Sequence, residues 1–100
     1  MRVVITAAAE ADLERIGDFV ARDHPRRAVT FIDELVECCE RIADAPLAFP
    51  LMPRFAHAGI RRRAYRSYLI FYRSTDYRIE VLHVLNGAQD FESIILADEA

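Results

Sequence analysis

The chain has 100 residues, a length that predicts one domain over residues 1–100. Hydrophobic residues make up 53% of it, with three Gly and four Pro, which excludes a disordered chain. The apolar run at the N-terminus is too short for a signal peptide, and no segment approaches the roughly 18 apolar residues of a membrane span. The sequence therefore predicts a cytoplasmic protein.

Positive charge is concentrated in the middle of the chain. Residues 47–75 hold six arginines and no Asp or Glu, whereas residues 1–46 carry six arginines against ten carboxylates. This segregation predicts a face for an anionic partner, and the alternative is a basic surface that only meets solvent. The candidate partner-binding residues are Arg54, Arg61, Arg63, Arg66 and Arg73.

The first elements are a strand and a helix. Residues 2–6 are rich in β-branched side chains and predict a short strand, after which Thr6 is placed to cap a helix. Apolar residues from Leu13 to Val20 recur at helical spacing, and Asp12 is expected on the solvent side. The helix should thus bury one stripe.

A second amphipathic helix is predicted to start near Pro25 and to end at Ala45-Pro46. Cys38 and Cys39 are neighbours in this helix, where a bond between them would be strained, so both are expected to be reduced. The prolines of residues 46–58 predict an irregular loop.

The second half of the chain predicts three strands, at residues 59–66, 68–73 and 77–85, and a short C-terminal helix at residues 90–96. The order strand, helix, helix, three strands predicts an α+β fold, in which a helical hairpin packs on one face of a small antiparallel sheet. Two helices cover a four-stranded sheet only in part, so the other face is expected to stay partly open beside the arginine-rich strand.

Motifs for metal, nucleotide or hydrolase chemistry are absent from the sequence, and we expect no catalytic residue, metal or cofactor. His83 is expected to pair with backbone or a carboxylate rather than to act in catalysis. RNA cleavage is the remaining chemical option, in which arginines stabilise the phosphorane and a Tyr, His or Glu moves the proton. The tyrosines that lie among the arginines are Tyr65, Tyr68 and Tyr72. Core packing is the favoured interpretation for Tyr68 and Tyr72.

Several segments together resemble the RelE/ParE superfamily of bacterial type II toxins. The segments are residues 11–16, the pattern Ala28-x-x-Phe31-x-x-x-Leu35, residues 59–61, residues 68–73 and residues 79–90. The resemblance implies a helical hairpin on a small antiparallel sheet and a cognate antitoxin that forms a hetero-oligomer with the toxin. It also implies one of two targets, since RelE-like members cut mRNA on the ribosome and ParE-like members poison DNA gyrase.

The segment after the last strand favours the ParE-like branch. RelE-like members typically carry a basic residue there and a Tyr or His further on, whereas this chain reads Asn86-Gly87-Ala88-Gln89 and then Phe91-Glu92-Ser93. With Asp90 nearby, a developing phosphorane would meet repulsion. We therefore expect a gyrase-poisoning, binding-type toxin neutralised by a ParD-like antitoxin, and the alternative is a RelE-like ribosome-dependent mRNA endoribonuclease.

Overall fold

The computed structural model describes residues 1–99 and confirms the α+β class and the predicted order of elements. The strands are β1 (Arg2–Ile5), β2 (Arg61–Tyr65), β3 (Tyr68–Ser74) and β4 (Arg78–Asn86). The helices are α1 (Ala7–Ala21), α2 (Pro25–Arg41) and α3 (Phe91–Glu99). Short 3₁₀ turns lie at Ile42–Asp44 and Pro53–Ala58, in the segment between α2 and β2, part of which was expected to be an irregular loop. The second of these is kinked at Phe55.

The sheet has the strand order β1-β4-β3-β2, and β2, β3 and β4 pair antiparallel as predicted. The expectation of a purely antiparallel sheet was wrong for β1, which pairs parallel to β4. A parallel neighbour needs a long crossover, and the two helices with β2 and β3 supply one between β1 and β4. The sheet is therefore mixed.

Local signals explain where the helices begin. The Thr6 side chain accepts a hydrogen bond from the Ala9 amide (3.3 Å), as expected of a helix cap, and its hydroxyl also lies 2.8 Å from the Val81 carbonyl oxygen. This residue thus joins the start of α1 to β4. Pro25 occupies the first turn of α2, where its missing N–H is harmless.

Both faces of the sheet are covered by apolar packing. Helices α1 and α2 pack on the first face, where Leu35, Tyr72 and Val81 are fully buried. The second face was expected to be partly open, and this expectation was wrong. The 3₁₀ turn Pro53–Ala58 and α3 cover it, in a second cluster formed by Met52, Phe55, Ile60, Phe71, Leu85 and Ile95.

Candidate partner-binding surface

Strand β2 presents its arginines on two opposite faces, as the alternation of a strand requires. Arg61 and Arg63 are half-buried on the face that meets α2, whereas Arg62 between them is exposed. The arginines of β2 consequently face different surroundings.

Arg61 and Arg63 bind backbone carbonyls within the protein. Arg61 donates from Nη1 to the carbonyl oxygens of Phe49 (2.8 Å) and Leu47 (3.3 Å). Arg63 donates to the Cys38 carbonyl oxygen (2.9 Å), and its guanidinium lies 5.1 Å from the centre of the Phe49 ring. Arg61 thus fastens the segment after α2 to the sheet, and Arg63 fastens the last turn of α2 and Phe49.

We expect Arg63→Ala to lower the free energy of unfolding by about 1–3 kcal/mol, because a charged hydrogen bond and a ring contact are lost. The matched control is Arg62→Ala, which removes the same side chain from the exposed face and should change stability by less than about 0.5 kcal/mol. Chemical denaturation of both variants measures the difference. Equal losses would show that Arg63 contributes no more to the fold than an exposed arginine.

Arg66 lies in the two-residue turn between β2 and β3 and has a positive φ of 52°. Its guanidinium lies over the Tyr65 ring and 4.0 Å from Glu34 of α2. Glu34 also bonds to Arg27 and to the Tyr65 hydroxyl, and these hydrogen bonds, with the nearby Arg66 charge, lower the pKa of Glu34 to about 2. The Arg66 side chain nevertheless remains 63% exposed, so it is available to a partner.

Arg54 and Arg73 lie elsewhere, beside α3. Arg54 pairs with Glu92 (3.3 Å), and Arg73 pairs with Glu80 (3.0 Å) and with Glu99 (3.2 Å). The five candidate arginines therefore form two groups, one at β2 and its turn and the other at α3. A role of either group in partner binding stays a prediction.

A groove that the sequence reasoning missed lies between α1 and the adjoining ends of β3 and β4. Its volume is about 520 Å³, and its apolar wall includes Ile16, Phe19, Tyr68 and Leu85. Phe19 is 63% exposed, under the guanidinium of Arg22. The sequence contains one indication of this groove, which is that Phe19 is a large aromatic residue outside the buried stripe of α1.

The tyrosines considered for proton transfer are engaged inside the protein. The Tyr72 hydroxyl donates to the Pro46 carbonyl oxygen (2.7 Å), and the Tyr65 hydroxyl bonds to Glu34. Tyr68 and Tyr72 are buried, which confirms the core-packing interpretation for both. Hydrogen bonds thus give Tyr65 and Tyr72 structural roles, and burial gives Tyr68 one.

The turn after β4 is built from polar and acidic groups. The Asn86 amide donates to the Gln89 side chain (2.9 Å), and the Asp90 carboxylate accepts hydrogen bonds from the Ser93 hydroxyl (2.7 Å) and amide (3.4 Å) at the start of α3. Within residues 1–99, no group of three His, Cys, Asp or Glu is arranged to hold a metal ion. No helix in the same residues has the length and apolar character needed to cross a membrane.

Comparison with known proteins decides the family. A family model described as "ParE toxin of type II toxin-antitoxin system, parDE" matches residues 3–91. The chain belongs to this ParE toxin family. The match confirms the resemblance to the ParE branch that the sequence suggested.

A solved structure shares the fold of this ParE-family chain. It is described as "Chromosomal ParDE TA system from P. aeruginosa", and its aligned chain has a TM-score of 0.73 and 19% sequence identity. The alignment covers 86% of this chain and 95% of that one. No curated protein matches the sequence. At this identity the structural likeness establishes the fold alone.

Proposed function

We propose that this ParE-family chain arrests growth by binding DNA gyrase and that a ParD-like antitoxin holds it inactive in the cytoplasm. The family match over residues 3–91 is the observation that carries the proposal. The similar solved chain belongs to a ParDE system, which supports a hetero-oligomer with an antitoxin here as well.

The turn after β4 supports action by binding rather than by catalysis. Cleavage of RNA requires positive charge where the phosphorane develops. Residues 86–90 contain no cation, and the Asp90 carboxylate lies among them. The tyrosine hydroxyls at positions 65 and 72 are already bonded within the protein. Such a site would repel a transition state that it should stabilise.

For the antitoxin, we propose an amphipathic, acidic segment with two kinds of contact. Tyr68 lines the groove beside α1 and follows directly after the turn that carries Arg66, so the groove and Arg66 lie at the same end of the sheet. Apolar side chains of the segment would enter the groove beside Phe19, while its carboxylates would pair with Arg66. Arg61 and Arg63 donate from Nη1 to carbonyl oxygens within the protein. Their remaining N–H groups can donate to further carboxylates of the antitoxin segment.

Arg54 and Arg73, the candidate arginines beside α3, are also proposed to bind the antitoxin. Arg54 is 61% exposed, and its guanidinium can bind a second carboxylate besides Glu92. Arg73 is more enclosed, between Glu80 and Glu99. A segment long enough to reach α3 would meet these two arginines after it leaves β2.

We expect Arg66→Ser to weaken antitoxin binding about two- to fivefold and to reduce its dependence on salt, because one exposed charge pair is lost. The matched control is Arg41→Ser, since Arg41 is 65% exposed and also makes a single ion pair but lies outside the basic stretch. Titration calorimetry with the antitoxin from the neighbouring reading frame measures both variants. Equal affinities for the two variants would remove Arg66 from the interface.

A further inference from the structure

A buried histidine connects two helices through two carboxylates. His83 of β4 has its Nδ1 2.7 Å from the Asp12 carboxylate of α1, and its Nε2 hydrogen bonds to the Asp98 carboxylate of α3. The Asp12 side chain is 1% exposed and that of His83 is 8% exposed, whereas that of Asp98 is 54% exposed. A polar chain thus runs from the core to the C-terminal helix.

The position at which β1 ends explains why Asp12 is bonded to β4. The pairing of β1 with β4 stops at Val81, so the following part of β4 has a strand on its β3 side only. There the pairing of β4 with β3 is also irregular, since Phe71 faces His83 while Tyr72 faces Val81. Asp12 accepts the Val84 amide (2.9 Å) in place of a strand and is bonded to Arg15 as well. Asp12 is therefore held by three groups.

The protonation state of His83 decides how many of the two carboxylates receive a hydrogen bond from its ring. A neutral imidazole carries a proton on one ring nitrogen, so it can donate to only one of them. The imidazolium donates to both. The hydrogen bond to Asp12 and that to Asp98 raise the pKa of His83 above its ordinary value, against the effect of burial.

We propose that His83 is a proton-dependent latch for α3. As imidazolium it ties the helix to β4 through Asp98, and as neutral imidazole it keeps the bond to Asp12 and releases Asp98. The bond to Asp12 persists because this carboxylate is buried and is also bonded to Val84 and Arg15. Asp98 is half-exposed, so water can replace the imidazole.

Other groups near His83 and Asp98 also hold α3 against the sheet. Arg73 and Glu99 line the same cavity of about 190 Å³ as His83 and Asp98, and they pair with each other at 3.2 Å. Arginine stays charged throughout the range in which histidine titrates. The contact of Phe91 with Phe71, at 5.3 Å between ring centres, also holds the start of α3. The Arg73–Glu99 pair and the buried side chain of Ile95 hold the end of the helix in both forms of His83, so release of Asp98 should loosen this end without undocking it.

The direction with pH follows from the raised pKa. Stabilisation of α3 by the imidazolium is complete below the unfolded value of 6.5 and is lost as the pH rises through the folded pKa.

Two NMR measurements on the whole chain test the latch between about pH 6 and pH 9. Nitrogen shifts of the His83 ring report its titration, and amide exchange of residues 94–98, divided by the intrinsic rate at each pH, reports the docking of α3. We expect α3 protection to fall with the same midpoint as the ring titration. Amides of α2 serve as the internal reference and should keep their protection.

Asp98→Asn should lower the His83 midpoint, and for each pH unit of that decrease the protection of α3 at low pH should fall about tenfold. Glu92→Gln is the matched control, because it removes a carboxylate of the same helix that pairs with Arg54 and not with His83. It should leave the midpoint unchanged and lower protection equally at every pH. A His83 midpoint unaltered in Asp98→Asn, or α3 protection that stays constant through the ring titration, would overturn the latch.

Discussion

Replacing Asp12 with Ala is expected to lower the free energy of unfolding by about 3–5 kcal/mol, the usual cost of breaking a buried polar pair. The Asp12 carboxylate accepts the buried Val84 amide (2.9 Å) and lies 2.7 Å from His83 Nδ1. Alanine would leave both groups without this acceptor. Because a small domain is stable by only about 5–15 kcal/mol, the variant should unfold at a much lower denaturant concentration.

Glu14→Ala is the matched control for Asp12→Ala. It also removes a carboxylate from α1, but Glu14 is exposed, so its loss should cost less than about 0.5 kcal/mol. Urea denaturation followed by circular dichroism compares the two variants with the parent chain. A loss below about 1 kcal/mol for Asp12→Ala would mean that water replaces the carboxylate at Val84 and His83.

Truncating Leu35 to Ala should cost about 2–5 kcal/mol, because the change leaves a cavity between α2 and the sheet. Leu35 is 0% exposed and belongs to the larger apolar cluster. Val29→Ala on the same helix is the control, since Val29 is 65% exposed and its truncation should stay within about 0.5 kcal/mol. Similar midpoints for the two variants in thermal unfolding would contradict the assigned face of α2.

Local patterns in the sequence were sufficient to predict the helices and most strands. Apolar residues recur at the helical period along α2 and into the 3₁₀ turn after it, and those at positions 28, 31, 35, 39 and 42 are buried, whereas Ile32 is half-buried. Thr6 and Pro25 marked the helix starts correctly because capping and the fixed φ of proline act on neighbouring residues. Cys38 and Cys39 are free thiols in the structure, and both are buried.

The errors concern contacts between distant residues. Asp12 was placed on the solvent side of α1 from its helical position, yet it is buried because β1 ends before β4 does and leaves the Val84 amide to be bonded. The parallel pairing of β1 depends in the same way on where a later strand lies. Nothing within a few residues of Asp12 or β1 encodes these partners.

The sequence indicates which residues make up the candidate surface, but it does not predict how they are arranged. The alternation of side chains along β2 places Arg62 on the opposite face from Arg61 and Arg63. That Arg63 would bind the Cys38 carbonyl oxygen, 25 residues away in sequence, depends on how α2 packs against β2. The groove beside Phe19 likewise exists only once α1 lies next to β3 and β4.

Action on gyrase is tested by supercoiling of relaxed plasmid by the purified enzyme in the presence of the purified toxin. We expect loss of supercoiling or accumulation of cleaved DNA, and prior addition of the antitoxin should prevent either effect. The same folded toxin should leave reporter mRNA on translating ribosomes intact. Unimpaired supercoiling with toxin in excess would rule out gyrase as the target, and cleavage of that mRNA would assign the chain to the nuclease alternative.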